Sequence, residues 1–214
     1  MGRESYRVNG KRFAELRKQI GLTQMDLANR AGYSERVIRK AESGGTLRLE
    51  TIRDLSQSLS TPNQIVEPSH LYHSQLDLAK QFVQAYNQFG RDALLHCDGL
   101  FHEDFQFYCS GDPIQVSFAG LWNGLEGMQE FFDRFFSLFS RNAGSLLPTY
   151  LEADCRVVAR YEDQVFFETH PMPPFWVNLH FHFRDGLISR IDDEYDTRLV
   201  AESFLELSKR LGKA

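Results

Sequence analysis

A chain of 214 residues that is 42% hydrophobic and 25% charged has the composition of an ordinary globular protein, with room for one large domain or two small ones. No apolar run approaches a membrane span, and the opening MGRESYRVNGKRF lacks the apolar core of a secretory signal, so a cytoplasmic protein with no membrane partner is expected. Cys97, Cys109 and Cys155 are odd in number and form no CxxC pair, which fits reduced thiols rather than a disulfide framework.

The net charge of −5 is unevenly spread: residues 1–62 hold 12 Lys and Arg against 7 Asp and Glu, and the remainder holds 12 against 22. A basic head on an acidic body is what a small polyanion-binding module joined to an unrelated domain would show. From Gly10 to Leu59 the pattern is helical. Phe13, Leu16 and Ile20 recur at helical spacing until Gly21; Thr23 opens a second helix that Gly32 closes. Ser34 opens a third, closed by Gly44–Gly45, and a fourth aligns Leu49, Ile52, Leu55 and Leu59. Short helices joined by tight turns containing Gly are the helix-turn-helix arrangement.

Gln24, Ala28, Gly32, Ser34, Ile38 and Glu42 fall at the spacing of the Cro/repressor-type helix-turn-helix family, which this segment resembles over some fifty residues. Ala28 is small where two helices cross, Gly32 supplies a left-handed turn, and Ile38 anchors the third helix. The resemblance implies double-stranded DNA as partner, with the third helix in the major groove. Glu35, Arg36 and Lys40 would then face base edges, Gln24, Arg39, Ser43 and Arg48 would approach phosphates, and Ser34 would also lie at the DNA interface. Arg36 suits a bidentate contact to guanine. Members of this class gain affinity by dimerising on two half-sites, so the rest of the chain is expected to supply a dimer contact.

STPNQIVEPSH, residues 60–70, reads as a linker. After it come a helix carrying Leu76, Phe82, Val83, Tyr86 and Phe89, a short helical stretch near Ala93–His96, and strands FHEDFQFYC and QVSFAGLWNG. A phenylalanine-rich helix over 125–139 is followed by strands over 148–160, 163–170, 175–184 and 187–195. RDGL turns between the last two, and a helix over 197–211 ends the chain. FHEDFQF, FAGLWNGLEGMQEFF and FHFRDGLISRIDDEYDT in this order resemble the SnoaL-like, or nuclear transport factor 2-like, family. The expected organisation is therefore an all-α helix-turn-helix domain over 1–60, a linker over 61–73 and, over 74–214, an α+β cone-shaped domain with a curved antiparallel sheet wrapped on helices.

His180 and His182 stand one residue apart in FWVNLHFHF, the spacing with which some metal sites begin. Alternation along the strand puts them with Trp176 and Asn178 on one face and Val177, Leu179, Phe181 and Phe183 on the other. The histidines then face away from the cone, where a homodimer through the sheet face of the C-terminal domain would form. The His-x-His of a cupin needs a glutamate shortly after it, where this chain has Asp185–Gly186, so no metal and no cofactor are expected.

For a small apolar ligand inside the cone, Asp193 shares a face with Ile191 and Tyr195, and a carboxylate there would be disfavoured in its charged form. Tyr86, Tyr108, Cys109, Trp122, Glu168 and Leu179 are further expected ligand-binding residues of the wall. Resemblance to ketosteroid-isomerase-like members puts their proton-shuttling carboxylate at Cys109 and their acidic donor at Leu179, neither of which suits the role. No catalytic set is expected, and a regulator with a ligand-sensing body is preferred to an isomerase, cyclase or hydrolase.

Overall fold

The computed structural model describes residues 5–153 and 156–211. The chain forms two compact units, the first running to Ser74 and also taking in Asp185–Leu187, the second made of the remainder from Gln75 onward.

The first unit comprises β1 (Ser5–Arg7), α1 (Gly10–Gln19), α2 (Gln24–Ala31), α3 (Glu35–Glu42), β2 (Thr46–Arg48) and α4 (Leu49–Leu59). The helix starts follow from their caps. Asn9 accepts from the Arg12 amide at 3.1 Å, and Thr23 and Asp26 form a reciprocal capping box at the head of α2. Gly32 ends α2 at φ 72°, a conformation in which a side chain would be strained. Phe13, Leu27, Ile38, Ala41 and Leu55 are completely buried in a common core. The two strands were not legible: three-residue segments are too short to display a period of two, and their antiparallel pairing, Tyr6 opposite Leu47, is a tertiary event.

Residues 61–73, expected as a linker, are instead packed into this unit. Val66 and Leu71 are buried in its core, the Asn9 amide donates to the Leu71 carbonyl at 2.9 Å, and the His73 amide donates to the Arg7 carbonyl at 2.9 Å. Two well-placed apolar side chains, together with these backbone bonds, anchor a segment whose composition is otherwise polar.

The second unit contains α5 (Gln75–Phe89), a 3₁₀ stretch (Gly90–His96), β3 (Phe101–Cys109), β4 (Gly120–Asn123), α6 (Gly124–Leu138), β5 (Phe139–Ser140), β6 (Thr149–Ala153) and β7 (Arg156–Asp163). It continues with β8 (Phe166–Phe167), β9 (His170–Pro171), β10 (Phe175–Arg184), β11 (Leu187–Tyr195) and α7 (Thr197–Arg210). Six strands form one sheet in the order β4-β3-β11-β10-β7-β6, and β5, β8 and β9 form a small second sheet. The pairing of β3 with β11 is parallel, so the main sheet is antiparallel-rich and not purely antiparallel. A long connection through α6 separates those two strands, and no hairpin dictates their relative direction. Between β10 and β11, Asp185 and Gly186 take positive φ values of 52° and 73°, the requirement of a tight type I′ turn.

Several expected strands are cut shorter. In 115–124 only β4 is extended; before it, Asp112 accepts from the amides of Val116 and Ile114, turning the chain after Pro113. The strand expected over 148–160 divides into β6 and β7, paired with Ala153 opposite Arg156; Asp154 and Cys155 lie outside the described residues. That over 163–170 divides into β8 and β9, with Glu168 at φ 56° between them. The core sits between the sheet and α5 and α6. Phe105, Phe107, Val157, Ala159, Leu179, Phe181 and Ile191 meet Phe82, Val83, Phe131 and Phe132 there.

Because Leu71 is 1% exposed within the first core, Leu71→Ala should destabilise the first unit by about 2–5 kcal/mol. Urea unfolding of the full chain checks this, and an unchanged transition would mean that residues 61–73 contribute no packing.

Candidate functional site

In the first unit, burial of Ile38 and Ala41 turns the opposite side of α3 outward, with Arg36, Arg39 and Lys40 exposed. Ser34 occupies the N-cap position without a side-chain capping bond, and Ser43 at the other end donates to the Lys40 carbonyl at 3.0 Å. Glu35 and Arg39, one turn apart, form an ion pair at 3.6 Å. Lys40 lays its stem along Gly45, where an added Cβ would come within 2.6 Å of the Lys40 Cγ. Arg48 is exposed just before α4.

Gln24 behaves differently from the other residues expected at DNA. Its amide donates to Glu42 Oε2 at 2.6 Å, while Arg17 bridges the other Glu42 oxygen and the Leu22 carbonyl. Burial pushes the Glu42 carboxyl up, but the bonds from Arg17 and Gln24 outweigh it and hold the group below its ordinary range. In this geometry Gln24 joins α2 to the end of α3.

The second unit encloses a narrow cavity of about 30 Å³, room for one or two waters. α5 contributes Tyr86 to its wall, α6 contributes Phe131 and Phe135, β7 contributes Tyr161 and Asp163, and β11 contributes Asp193 and Tyr195. Phe118, Phe139 and Val200 border both this cavity and an adjoining cleft of about 180 Å³ that also touches Phe204. α7 thus closes the mouth, with Phe204 stacked edge-on against Phe139 and Phe167 at 5.6 and 5.0 Å.

Charge is concentrated inside this aromatic shell. Arg141 and Asp163 pair at 3.1 Å with side chains only 2% and 5% exposed. Arg141 also donates to the Tyr86 carbonyl at 3.1 Å and lies 4.1 Å above the Tyr86 ring. Oδ1 of Asp163 and Oδ1 of Asp193 are both buried without a hydrogen-bond partner among the described residues. Burial, with Asp163 adding negative charge, pushes Asp193 up to about 7. Burial raises Asp163 as well, against the pull of Arg141, and raises Tyr86 to about 12.

Of the expected ligand residues, Tyr86, Asp193 and Tyr195 line the cavity. Cys109 is fully buried beside it, its Sγ 3.7 Å from the Tyr195 hydroxyl, which donates to the Ser110 carbonyl at 2.9 Å. Burial pushes the Cys109 thiol well above its ordinary value. Leu179 is buried in the inward row of β10 but does not border the cavity. Tyr108 is corrected: alternation that buries Phe107 and Cys109 turns it to the outer face, under Arg190. Glu168 is corrected too, being exposed at the turn between β8 and β9. Trp122 packs on Phe131 and donates to the Phe118 carbonyl at 3.1 Å, one layer outside the cavity. Arg141, Tyr161 and Asp163 were missed. Asp163 continues the inward alternation of Val157, Ala159 and Tyr161, a signal present in the sequence, whereas Arg141 lies after α6 in a segment with no periodicity.

On the outer sheet face His180 lies 3.3 Å from Glu194, and His182 lies 2.9 Å from Asp192, which also takes Arg190 at 2.6 Å. The histidine pair therefore meets carboxylates of the neighbouring strand. Among the described residues, His102, Glu103 and Asp104 are the group close enough to share a metal ion, and Arg184 already pairs with Asp104 and contacts His102.

The raised Asp193 has a consequence for stability. The folded state keeps this proton over a range in which the unfolded chain, with an ordinary value of 3.8, has lost it, so stability falls as pH rises from about 4 through about 7. Asp193→Asn should flatten that fall without abolishing it, because Asp163 is displaced in the same direction. Urea midpoints across the interval check this; parallel curves for the two proteins would contradict it.

A family model described as a SnoaL-like domain matches residues 79–191, and one described as a helix-turn-helix matches residues 13–62. None of the curated proteins matches. Among solved structures, TerC co-crystallized with polyporic acid is 18% identical with a TM-score of 0.50, covering 60% of this chain and 98% of its own. An NTF2-like protein of unknown function from Burkholderia pseudomallei is 15% identical with a TM-score of 0.51, covering 59% and 96%. One from Burkholderia xenovorans is 14% identical with a TM-score of 0.50, covering 60% and 94%. At such identity these three establish the fold alone, and among the described residues no helix is long and apolar enough to cross a membrane. Since the SnoaL-like match spans more than half of the chain, this protein belongs to the SnoaL-like family through its second unit, and its first unit is a helix-turn-helix domain.

Proposed function

We propose that the protein is a cytoplasmic DNA-binding transcriptional regulator whose SnoaL-like unit joins two copies and senses a small molecule. The observation that carries the DNA reading is α3, which buries Ile38 and Ala41 and leaves Arg36 exposed near its N-terminus. Arg36 reads bases, while Arg39 and Arg48 hold phosphates. Lys40 and Glu35 complete the reading face, and Ser34 and Ser43 sit at its two ends.

Two copies pair through the outer face of the main sheet. In favour of this face are Trp176 and Leu151, 50% and 67% exposed, and the guanidinium of Arg160 lying 4.3 Å over the Trp176 ring. A ligand entering the cone changes operator affinity by favouring one arrangement of the dimer, which requires different affinities for the two arrangements. The fold neighbour TerC, co-crystallized with polyporic acid, is a precedent for a small molecule accompanying this fold.

A second reading, catalysis by a SnoaL-like isomerase, cyclase or hydrolase, is favoured by one observation: a carboxyl raised to about 7 in a cavity suits a general base. Turnover that Asp193→Asn abolishes would carry that reading over the first.

Arg36→Ala should relax sequence preference, costing about 1–3 kcal/mol on the operator and little on random DNA, whereas Arg48→Ala should weaken both alike. Fluorescence anisotropy on the two DNAs checks this, and equal losses for both variants on both DNAs would sink the assignment. Trp176→Glu should convert the dimer to a monomer in sedimentation velocity; an unaffected dimer would place the contact on another face.

A further inference from the structure

We propose that the cone takes a compact organic amine, its ammonium group held by the carboxylates of Asp193 and Asp163 and its apolar body lying in the cleft beneath α7. This rests on the reading of the second unit as a ligand sensor, and adds to it the chemical class of the ligand.

Two buried carboxylate oxygens, Asp163 Oδ1 and Asp193 Oδ1, have no hydrogen-bond partner among the described residues, and both side chains border the same cavity. An acceptor left unmet in a closed site is costly, so the complementary ligand is one that donates. Charge narrows the choice. Two carboxylates face one guanidinium, Arg141, and among the described lining residues there is no Lys, Arg or His. With Asp193 ionised the cluster carries one unneutralised negative charge, which an ammonium cancels and a hydroxyl does not. A protonated amine also brings several N–H donors to the two oxygens, whereas a hydroxyl brings one.

The walls suit the same class. Tyr86, Phe131, Phe135, Phe175 and Tyr195 surround the cavity, and aromatic faces attract cations. Arg141 already uses that attraction, 4.1 Å above Tyr86. Size limits the ligand. The inner cavity of about 30 Å³ accepts a head the size of a water or two, and the cleft of about 180 Å³ that shares Phe118, Phe139 and Val200 accepts the body. Both fall below the roughly 300–1,000 Å³ of sites for drug-sized molecules, which points to a body of about one ring. The raised Asp193 fits this account, since an arriving cation would draw the carboxyl into its charged form.

The test is calorimetry on the full-length protein with three probes of similar framework: 2-phenylethylamine, 2-phenylethanol and propylbenzene. The amine should bind about tenfold or more tightly than the alcohol, the scale of a charge-assisted hydrogen bond, and propylbenzene should bind most weakly. Asp193→Asn, which breaks no ion pair and should fold, ought to bring the amine's affinity down to that of the alcohol. Val200→Trp, filling the cleft, should abolish binding of all three. Equal or tighter binding of the alcohol or propylbenzene would overturn the amine class while leaving the sensor reading standing. An amine preference that survives Asp193→Asn would overturn the assigned anchor, and failure of all three to bind would overturn the proposal outright. Amine binding that leaves operator affinity unchanged would instead overturn the sensor reading and leave the amine site in place.

Discussion

Arg141 and Asp163 meet at 3.1 Å in the interior of an aromatic shell, and the second unit is arranged around that pair. Neither charge would be tolerated there alone, because removing an ion from water costs several kcal/mol unless a partner and hydrogen bonds replace the solvent. The guanidinium repays its burial three ways: through Asp163 on β7, through the Tyr86 carbonyl on α5, and through the Tyr86 ring face. One side chain from the segment after α6 therefore ties together a helix and a strand on opposite sides of the cone. Asp193, bordering the same cavity, receives desolvation and the field of Asp163 without a direct bond to Arg141, and its carboxyl is driven up. The asymmetry between two nearby aspartates, one paired and one not, gives the cavity its chemical character.

The first unit uses a smaller version of the same device. Glu42, at the end of α3, receives Arg17 from α1 and Gln24 from α2, so three helices converge on one carboxylate. This locks the angle at which α3 projects from the core, while the apolar contacts of Ile38 and Ala41 fix which side faces out. Gln24 is thereby an element of the scaffold that presents Arg36, and a phosphate near it would have to compete with Glu42 for its amide.

Much of this was legible in residue order, because it depends on local physics. Thr23 followed by Asp26, Gly32 at a left-handed position, and the alternation of Phe175, Val177, Leu179 and Phe181 against Trp176, Asn178, His180 and His182 all act within a few residues. The same alternation, applied consistently, would have excluded Tyr108 once Cys109 was turned inward and would have carried Asp163 in behind Tyr161. The error at residues 61–73 has a different origin. A polar, proline-containing stretch reads as unattached because composition averages over residues, whereas Val66 and Leu71 attach it individually.

What the sequence by itself determined is the division into a basic helical head and an acidic α+β body, the helix caps, the hairpin turn at Asp185–Gly186, and the inward side of Asp193. Each follows from propensities and periodicities that operate over one or two turns of chain. What only the tertiary structure decided is which charges share a cavity. Arg141 and Asp163 stand 22 residues apart, and Asp193 reaches them through a sheet order in which β11 lies between β3 and β10. Electrostatic coupling depends on distance and burial in space, and neither is encoded in the spacing of residues along the chain.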